Sequence, residues 1–200
     1  TDTVYSSVGT VLTPNVEYLV LLGADPLTGV GNLLNNVIVG NSGNNILDGQ
    51  GGDDALAGGL GADSYFVDSI YDGVVEYAGQ GTDTVYSSVG TVLTPNVERL
   101  HLIGTANLTG VGNELANLIV GNAGDNVLDG RSGADSMAGG SGNDSYFVDN
   151  AGDTVLEAAG GGLDTIYSSV AYRLPGEVEY LPLTGAGNVA ATGNGLANLI

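Results

Sequence analysis

Apolar residues recur singly along this chain, set between polar and glycine-rich stretches. Ile38, Leu47, Leu56 and Tyr65 stand nine residues apart, and Ile119, Leu128, Met137 and Tyr146 repeat the series. Each lies in a short run such as VIV, ILD, ALA or VLD. No segment carries a glycine-free apolar pattern of period 3.6, so helix is not expected. The surrounding nonapeptides open on glycine: GNLLNNVIV at Gly31–Val39, GNSGNNILD at Gly40–Asp48, GQGGDDALA at Gly49–Ala57 and GGLGADSYF at Gly58–Phe66. Gly-x-x-Gly spacing gives a loop that can bend tightly. A three-residue strand cannot stand alone, so it must stack on copies of itself to bury its one inward side chain. Two nonapeptides, one per side, make one coil, and stacked strands lie about 4.8 Å apart. The pattern predicts an all-β fold: a parallel β-roll or β-solenoid, like a parallel β-helix, built from tandem repeats.

A longer period contains the shorter one. TDTVYSSVGTVLTPNVE at Thr1–Glu17 recurs unchanged at Thr82–Glu98, and LDTIYSSVAYRLPGEVE at Leu163–Glu179 begins a third copy. Asp2, Asp83 and Asp164 therefore sit 81 residues apart. The expected units are residues 1–81, 82–162 and a partial third at 163–200, forming one continuous solenoid. Spacer strands fill 1–30 and 82–111, and nonapeptide turns fill 31–75 and 112–156. In the spacer, DTVYSSV, TVLT and NVERLHLIG are β-branched or alternating runs bounded by turn residues. Alternation places Leu100 and Leu102 on one face, Arg99 and His101 on the other. The spacer strands are expected to continue the solenoid in wider coils.

Charge changes the picture. The chain carries 23 acidic residues against three arginines and no lysine, a formal net charge of −20. Such a surface repels nucleic-acid phosphates, so no nucleic acid is expected as a partner. The apolar runs are too short for membrane insertion as helices. There is no cysteine, hence no disulfide, thiolate nucleophile or zinc-finger site.

The acids follow the nine-residue period. Asn36, Asn45, Asp54, Asp63 and Asp72 occupy the sixth position of successive turns, as do Asn117, Asn126, Asp135, Asp144 and Asp153. Residues 18 apart stack, so Asp54 falls above Asn36, Asp63 above Asn45 and Asp72 above Asp54. Calcium takes oxygen ligands at roughly 2.3–2.6 Å, and twice that is about one strand spacing. A calcium ion therefore fits between stacked loops, with backbone carbonyls of Gly49, Gly51, Gly58 and Leu60 completing its shell. Zinc lacks nitrogen and sulfur ligands here, and magnesium demands a smaller, more rigid shell. Asp48, Asp53, Asp68, Asp129 and Asp149 are auxiliary candidates. The amide-rich turns at Asn36, Asn45, Asn117 and Asn126 either join the ion sites or form hydrogen-bonded ladders, as do Asn32, Asn41, Asn113, Asn122 and Asn194.

GGLGADSYF and GGSGNDSYF resemble the repeats-in-toxin (RTX, hemolysin-type) nonapeptide, GGxGxDxUx, with tyrosine as the large apolar residue U. The spacer is similar to segments between such motifs in large secreted bacterial repeat proteins. The resemblance implies a calcium-stapled β-roll holding several Ca2+ ions per chain, and bacterial type I secretion to the exterior or cell surface.

Catalysis is not expected. His101 is the only histidine, and Val20 and Pro182 replace it in the other copies. The recurrent serine pairs, such as Ser87-Ser88, have no recurrent histidine beside them. The leading expectation is a secreted calcium-binding structural segment of a rod, adhesin, surface layer or filament, folding on Ca2+ after export and stacking on itself head to tail. The alternative is a calcium-folded carrier region of a secreted enzyme or toxin. An ice-binding solenoid ranks third, because one Thr-x-Thr per unit is too sparse for a regular array.

Overall fold

The single inward position of each nonapeptide decides what folds. In a computed structural model describing residues 1–200, Ile38, Leu47, Leu56, Tyr65, Ile119, Leu128, Met137 and Tyr146 are all fully buried. The residue on either side of each is exposed or half-buried. Burying one such side chain contributes about 1.5–3 kcal/mol, so a lone strand gains too little and only a stack of them is stable. No α-helix forms.

The chain divides into two units, Thr1–Val89 with Thr94–Arg99, and Gly90–Leu93 with Leu100–Ile200. In the first, ten strands follow one another: β1 (Thr3–Ser6), β2 (Thr10–Val11), β3 (Tyr18–Leu21), β4 (Thr28–Val30), β5 (Val37–Val39), β6 (Ile46–Asp48), β7 (Ala55–Ala57), β8 (Ser64–Val67), β9 (Gly73–Val75) and β10 (Thr84–Ser87). Alternate strands share a sheet. One side is β1-β3-β5-β7-β9, the other includes β2-β4-β6-β8-β10, and the pairings are parallel. Every coil thus gives one strand to each side, and the inward residues meet between them. This is a β-solenoid.

The second unit repeats the plan. Its strands are β11 (Thr91–Val92), β12 (Arg99–Leu102), β13 (Thr109–Val111), β14 (Leu118–Val120), β15 (Val127–Asp129), β16 (Ser136–Ala138), β17 (Ser145–Val148), β18 (Thr154–Leu156), β19 (Thr165–Ser168), β20 (Tyr172–Arg173) and β21 (Ala191–Thr192). Strands β11-β13-β15-β17-β19 form one side, β12-β14-β16-β18 lie on the other, and β20 pairs with β21. Leu100 and Leu102 point into the core while Arg99 is exposed and His101 half-buried, as the alternation predicts.

Coil width is uneven rather than uniformly larger in the spacer. Nonapeptide coils keep their period: Val37 pairs with Ala55 and Ile46 with Ser64. The first spacer coil is shorter, because Thr3 pairs with Tyr18. It closes through Pro14-Asn15, where Asn15 takes a left-handed φ of 67°, a conformation asparagine tolerates. The coil from Ser64 to Thr84 is wider. That extra width matters at the acidic sites below.

The acidic nonapeptide loops take a left-handed backbone at their fourth position, which is glycine there, whereas the first loops carry Leu34 and Leu115. Gly61 has φ 126° and Gly142 has φ 115°. A Cβ on Gly61 would also lie 2.7 Å from the Gly43 carbonyl oxygen of the coil beneath. Both Gly61→Ala and Gly142→Ala should therefore lower the thermal unfolding midpoint, through about 1–3 kcal/mol of backbone strain each. Calorimetry with calcium present checks this; midpoints equal to wild type would exclude the loop geometry.

Candidate metal centre

Stacking nonapeptides places their sixth residues in columns, and these columns are buried. Asp54, Asp63, Asp135 and Asp144 are only 1–2% exposed, and Asn36, Asn45, Asn117 and Asn126 only 1–3%. One carboxylate oxygen of each aspartate caps the coil beneath. The backbone N–H of Asn36 donates to Asp54 Oδ1 at 2.6 Å, and that of Asn45 to Asp63 Oδ1 at 2.5 Å. In the second unit, Asn117 N–H donates to Asp135 Oδ1 at 2.7 Å and Asn126 N–H to Asp144 Oδ1 at 2.6 Å.

The second oxygen decides the chemistry. Oδ2 of Asp54, Asp63, Asp135 and Asp144 is buried with no hydrogen-bond partner. Stripping water from an ionised carboxylate costs several kcal/mol unless something replaces it. That exceeds the gain from one inward leucine, so an uncompensated coil is not stable. The amide turns show the contrast. Asn36 Oδ1 accepts the Asn32 N–H at 2.7 Å, while its Nδ2 donates to the Val16 carbonyl at 3.0 Å. Asn36 thus bridges to the preceding coil with its own donor, and Asn45 and Asn126 donate to Asn41 Oδ1 and Asn122 Oδ1 of their own turns, whereas the aspartate's second oxygen calls for a positive charge from outside the chain.

The asparagines that follow a glycine do not stack on one another. Nδ2 of Asn41 donates to the carbonyls of Leu22 and Asp25, and Nδ2 of Asn122 to those of Ile103 and Ala106. Asn32 and Asn194 bond backbone carbonyls in the same way.

Asp72 and Asp153 close their columns differently from the aspartates below them. Asp72 Oδ1 accepts the Asp54 N–H at 2.9 Å, and its Oδ2 accepts the N–H groups of Asp68 and Ser69. Asp153 repeats this with Asp135, Asp149 and Asn150. Both oxygens are therefore engaged by backbone donors. Gly49 and Gly58 are buried against the carboxylates: a Cβ on Gly49 would collide with Asp54, and one on Gly58 with Asp63 and the Tyr65 hydroxyl. Gly51 is half-buried, and Leu60 has its side chain exposed. Asp48 is half-buried and holds the Gln50 N–H at 2.9 Å; Asp129 holds the Arg131 N–H at 2.9 Å. Asp53, Asp68 and Asp149 are exposed. Asp48 and Asp68 nevertheless act on Asp54 through space, as Asp129 and Asp149 do on Asp135.

Two further acids per unit join the columns, and the nine-residue period did not single them out. Oxygens of Asp63, Glu76 and Asp83 lie within 4.8 Å of one another, as do those of Asp144, Glu157 and Asp164. The remaining oxygen of each of these glutamates and of Asp83 and Asp164 is buried without a partner. Tyr65 and Tyr146 donate their hydroxyls to Glu76 and Glu157. The signal was present in the longer period, since Glu76 and Glu157, like Asp83 and Asp164, recur at the 81-residue spacing.

The family of RTX calcium-binding nonapeptide repeats matches the chain in four copies, over residues 30–65 and 111–146. These segments are RTX calcium-binding nonapeptide repeats. No curated protein matches the chain. RTX repeats bind calcium, and the donors here suit that ion: hard oxygens, buried, with unshared lone pairs facing neighbouring coils. The matched residues contain all four of the orphaned sixth-position aspartates.

Burial raises these acids' affinity for protons. It pushes Asp54, Asp63, Asp135 and Asp144 up to about 6, with neighbouring carboxylates adding to the effect. Burial and the charges of Asp83 and Asp63 push Glu76 up to about 7; burial and Asp164 and Asp144 push Glu157 up to about 8. A folded-state pKa above the unfolded one stabilises the fold below the unfolded value, and that stability is lost as pH rises through the folded one. The calcium-free solenoid should therefore be more ordered near pH 5 than at pH 8, with the loss spread between about 4 and 8. Far-UV circular dichroism of calcium-free protein across that range tests it; a signal that strengthens toward pH 8 contradicts the buried placement.

Proposed function

We propose that this chain is a calcium-dependent structural repeat, folded by Ca2+ after export from a bacterium and serving as an extension of an adhesin, surface layer or extracellular filament. The observation that carries the reading is the row of buried carboxylate oxygens without partners, in a chain holding three arginines and no lysine. Bound calcium supplies the positive charge that the protein lacks. The ligands proposed are Asp54, Asp63, Asp135 and Asp144, with carbonyls of Gly49, Gly51, Gly58 and Leu60 and their repeats.

The residues around them prepare the loops. Gly49 and Gly58 leave room beside the carboxylates that any side chain would fill. Asp72 and Asp153 hold the last loop of each column in place through four backbone N–H groups between them that flank the turn. Asn36 links to the preceding coil by amide donation, and Asn45 and Asn126 close their own turns on Asn41 and Asn122, so those turns order without an ion. Where calcium is scarce, the ionised acids repel one another and the coils stay open. Where it reaches about 10⁻⁴–10⁻³ M, the range of extracellular calcium modules, ligand binding becomes folding energy.

Circular dichroism with and without chelator tests the proposal. β-structure at pH 7.5 should collapse in chelator and return on calcium titration; equal signals in both states would refute it. A pair of substitutions sharpens the test. Asp54→Asn with Asp135→Asn gives each orphan position an amide donor like that of Asn36. The double variant should bind fewer calcium ions per chain and keep more β-structure in chelator than wild type. Unchanged stoichiometry by equilibrium dialysis would remove these aspartates from the ligand set.

A further inference from the structure

We infer that Asp63, Glu76 and Asp83 form a three-carboxylate cation site of their own kind, repeated at Asp144, Glu157 and Asp164, which staples the end of each nonapeptide run to the start of the following 81-residue repeat. Asp63 belongs to the last full nonapeptide, Glu76 to the connection after β9, and Asp83 to the residues that open the next copy of DTVYSS. The inference rests on the calcium reading above for the identity of the ion. The existence of the site stands on two further acids at each junction, which share Asp63 or Asp144 with the loops.

Coil width creates the site. Within the nonapeptides, each cap comes from a residue 18 positions on, as Asp63 caps Asn45. At the junction the offset grows to 20, and Asp83 Oδ1 accepts the Asp63 N–H at 2.7 Å. The longer coil passes through Glu76, whose side chain turns inward and is 6% exposed; Asp63 and Asp83 are 1% exposed. Three carboxylates then converge, each with one oxygen fixed. Asp63 Oδ1 takes the Asn45 N–H, Asp83 Oδ1 takes the Asp63 N–H, and Glu76 takes the Tyr65 hydroxyl. The Tyr65 oxygen is itself held by the Gly58 N–H at 2.8 Å. The three remaining oxygens, Asp63 Oδ2, Glu76 Oε2 and Asp83 Oδ2, are buried and have no partner.

A cluster whose ligand atoms lie within 4.8 Å of one another matches oxygens placed around one ion at about 2.4 Å. The second unit builds the same arrangement: Asp164 Oδ1 accepts the Asp144 N–H at 2.8 Å, and Tyr146 donates to Glu157. Three carboxylates around one ion exceed the single one that a lone nonapeptide loop offers. Ligand charge count raises calcium affinity, so this should be the tightest class of site, two per chain. A trivalent lanthanide should occupy it too, beside a buried tyrosine that can transfer excitation to it.

The full chain is titrated with Ca2+ in equilibrium dialysis, and with Tb3+ while tyrosine is excited. Wild type should show two tight ions and tyrosine-sensitised terbium emission. Glu76→Gln keeps the side chain's size and should remove one tight ion, Glu157→Gln the other, with at least a tenfold weakening of each. Tyr65→Phe with Tyr146→Phe should lower the emission and also weaken both tight ions, because each hydroxyl orients its glutamate. If both glutamine variants retain two tight ions and fold on calcium as wild type does, the junction site is refuted while the loop reading survives. If wild type itself neither binds calcium nor gains β-structure, the loop reading has failed. Terbium emission lost only in the glutamine variants would still support a junction site for another hard cation, and emission unchanged in them would overturn it. If a glutamine variant fails to fold at any calcium level while Asp54→Asn folds, the junction carries the folding energy, as proposed.

Discussion

Negative charge that folding takes out of water, in a chain with only three arginines to set against it, governs this protein. Burying one leucine contributes about 1.5–3 kcal/mol, whereas burying one ionised carboxylate without a partner costs several. The stacked coils set these terms against each other at every acidic turn, because the loop that aims an apolar side chain inward also buries the aspartate two positions before it. Protonation or a bound cation would relieve the cost that these unpartnered carboxylates impose on the stack. The same arrangement thus explains the raised proton affinity of Asp54, Asp63 and Glu76 and the fit to calcium.

Asparagine and aspartate occupy the same sixth position but make different links: Asn36 Oδ1 accepts an N–H of its own turn, Asp54 Oδ1 one from the coil beneath. Both accept a backbone N–H through one oxygen, and they differ in the second atom. Nδ2 of Asn36 donates to the preceding coil; Oδ2 of Asp54 has nothing to accept from. A single atom thus separates a side chain satisfied within the chain from one whose second oxygen is buried without a partner. In each unit the amide turns come first along the column and the acidic turns follow, so the satisfied amides sit beneath the unpartnered carboxylates.

The junctions carry the greatest concentration of acid. Widening of the coil from 18 to 20 residues admits Glu76 between Asp63 and Asp83, and Tyr65 holds it there. Tyr65 therefore serves twice: its ring fills the inward slot that leucine or isoleucine fills in earlier turns, and its hydroxyl reaches past the core to orient a carboxylate. Phe66 and Tyr86, one on each side of the same junction, stack with ring centroids 5.2 Å apart on the outer face, and Phe147 and Tyr167 do so at 5.3 Å.

Much of this was legible in the residues alone. The nine-residue recurrence of glycine, acid and apolar side chain determined the parallel stack, the buried series from Ile38 to Tyr65, and the columns that hold Asp54, Asp63, Asp135 and Asp144, because a fixed period translates directly into position on a coil. The junction acids obey no such short period. Glu76 falls in a connection whose path depends on how far β8 and β10 are offset, and offset is set by pairing across coils rather than by local pattern. Tertiary structure alone also separated Asp72 and Asp153, whose oxygens are engaged by backbone N–H groups, from the aspartates beneath them, since sequence reports which residues carry carboxylates but only packing decides which oxygens are left without a partner.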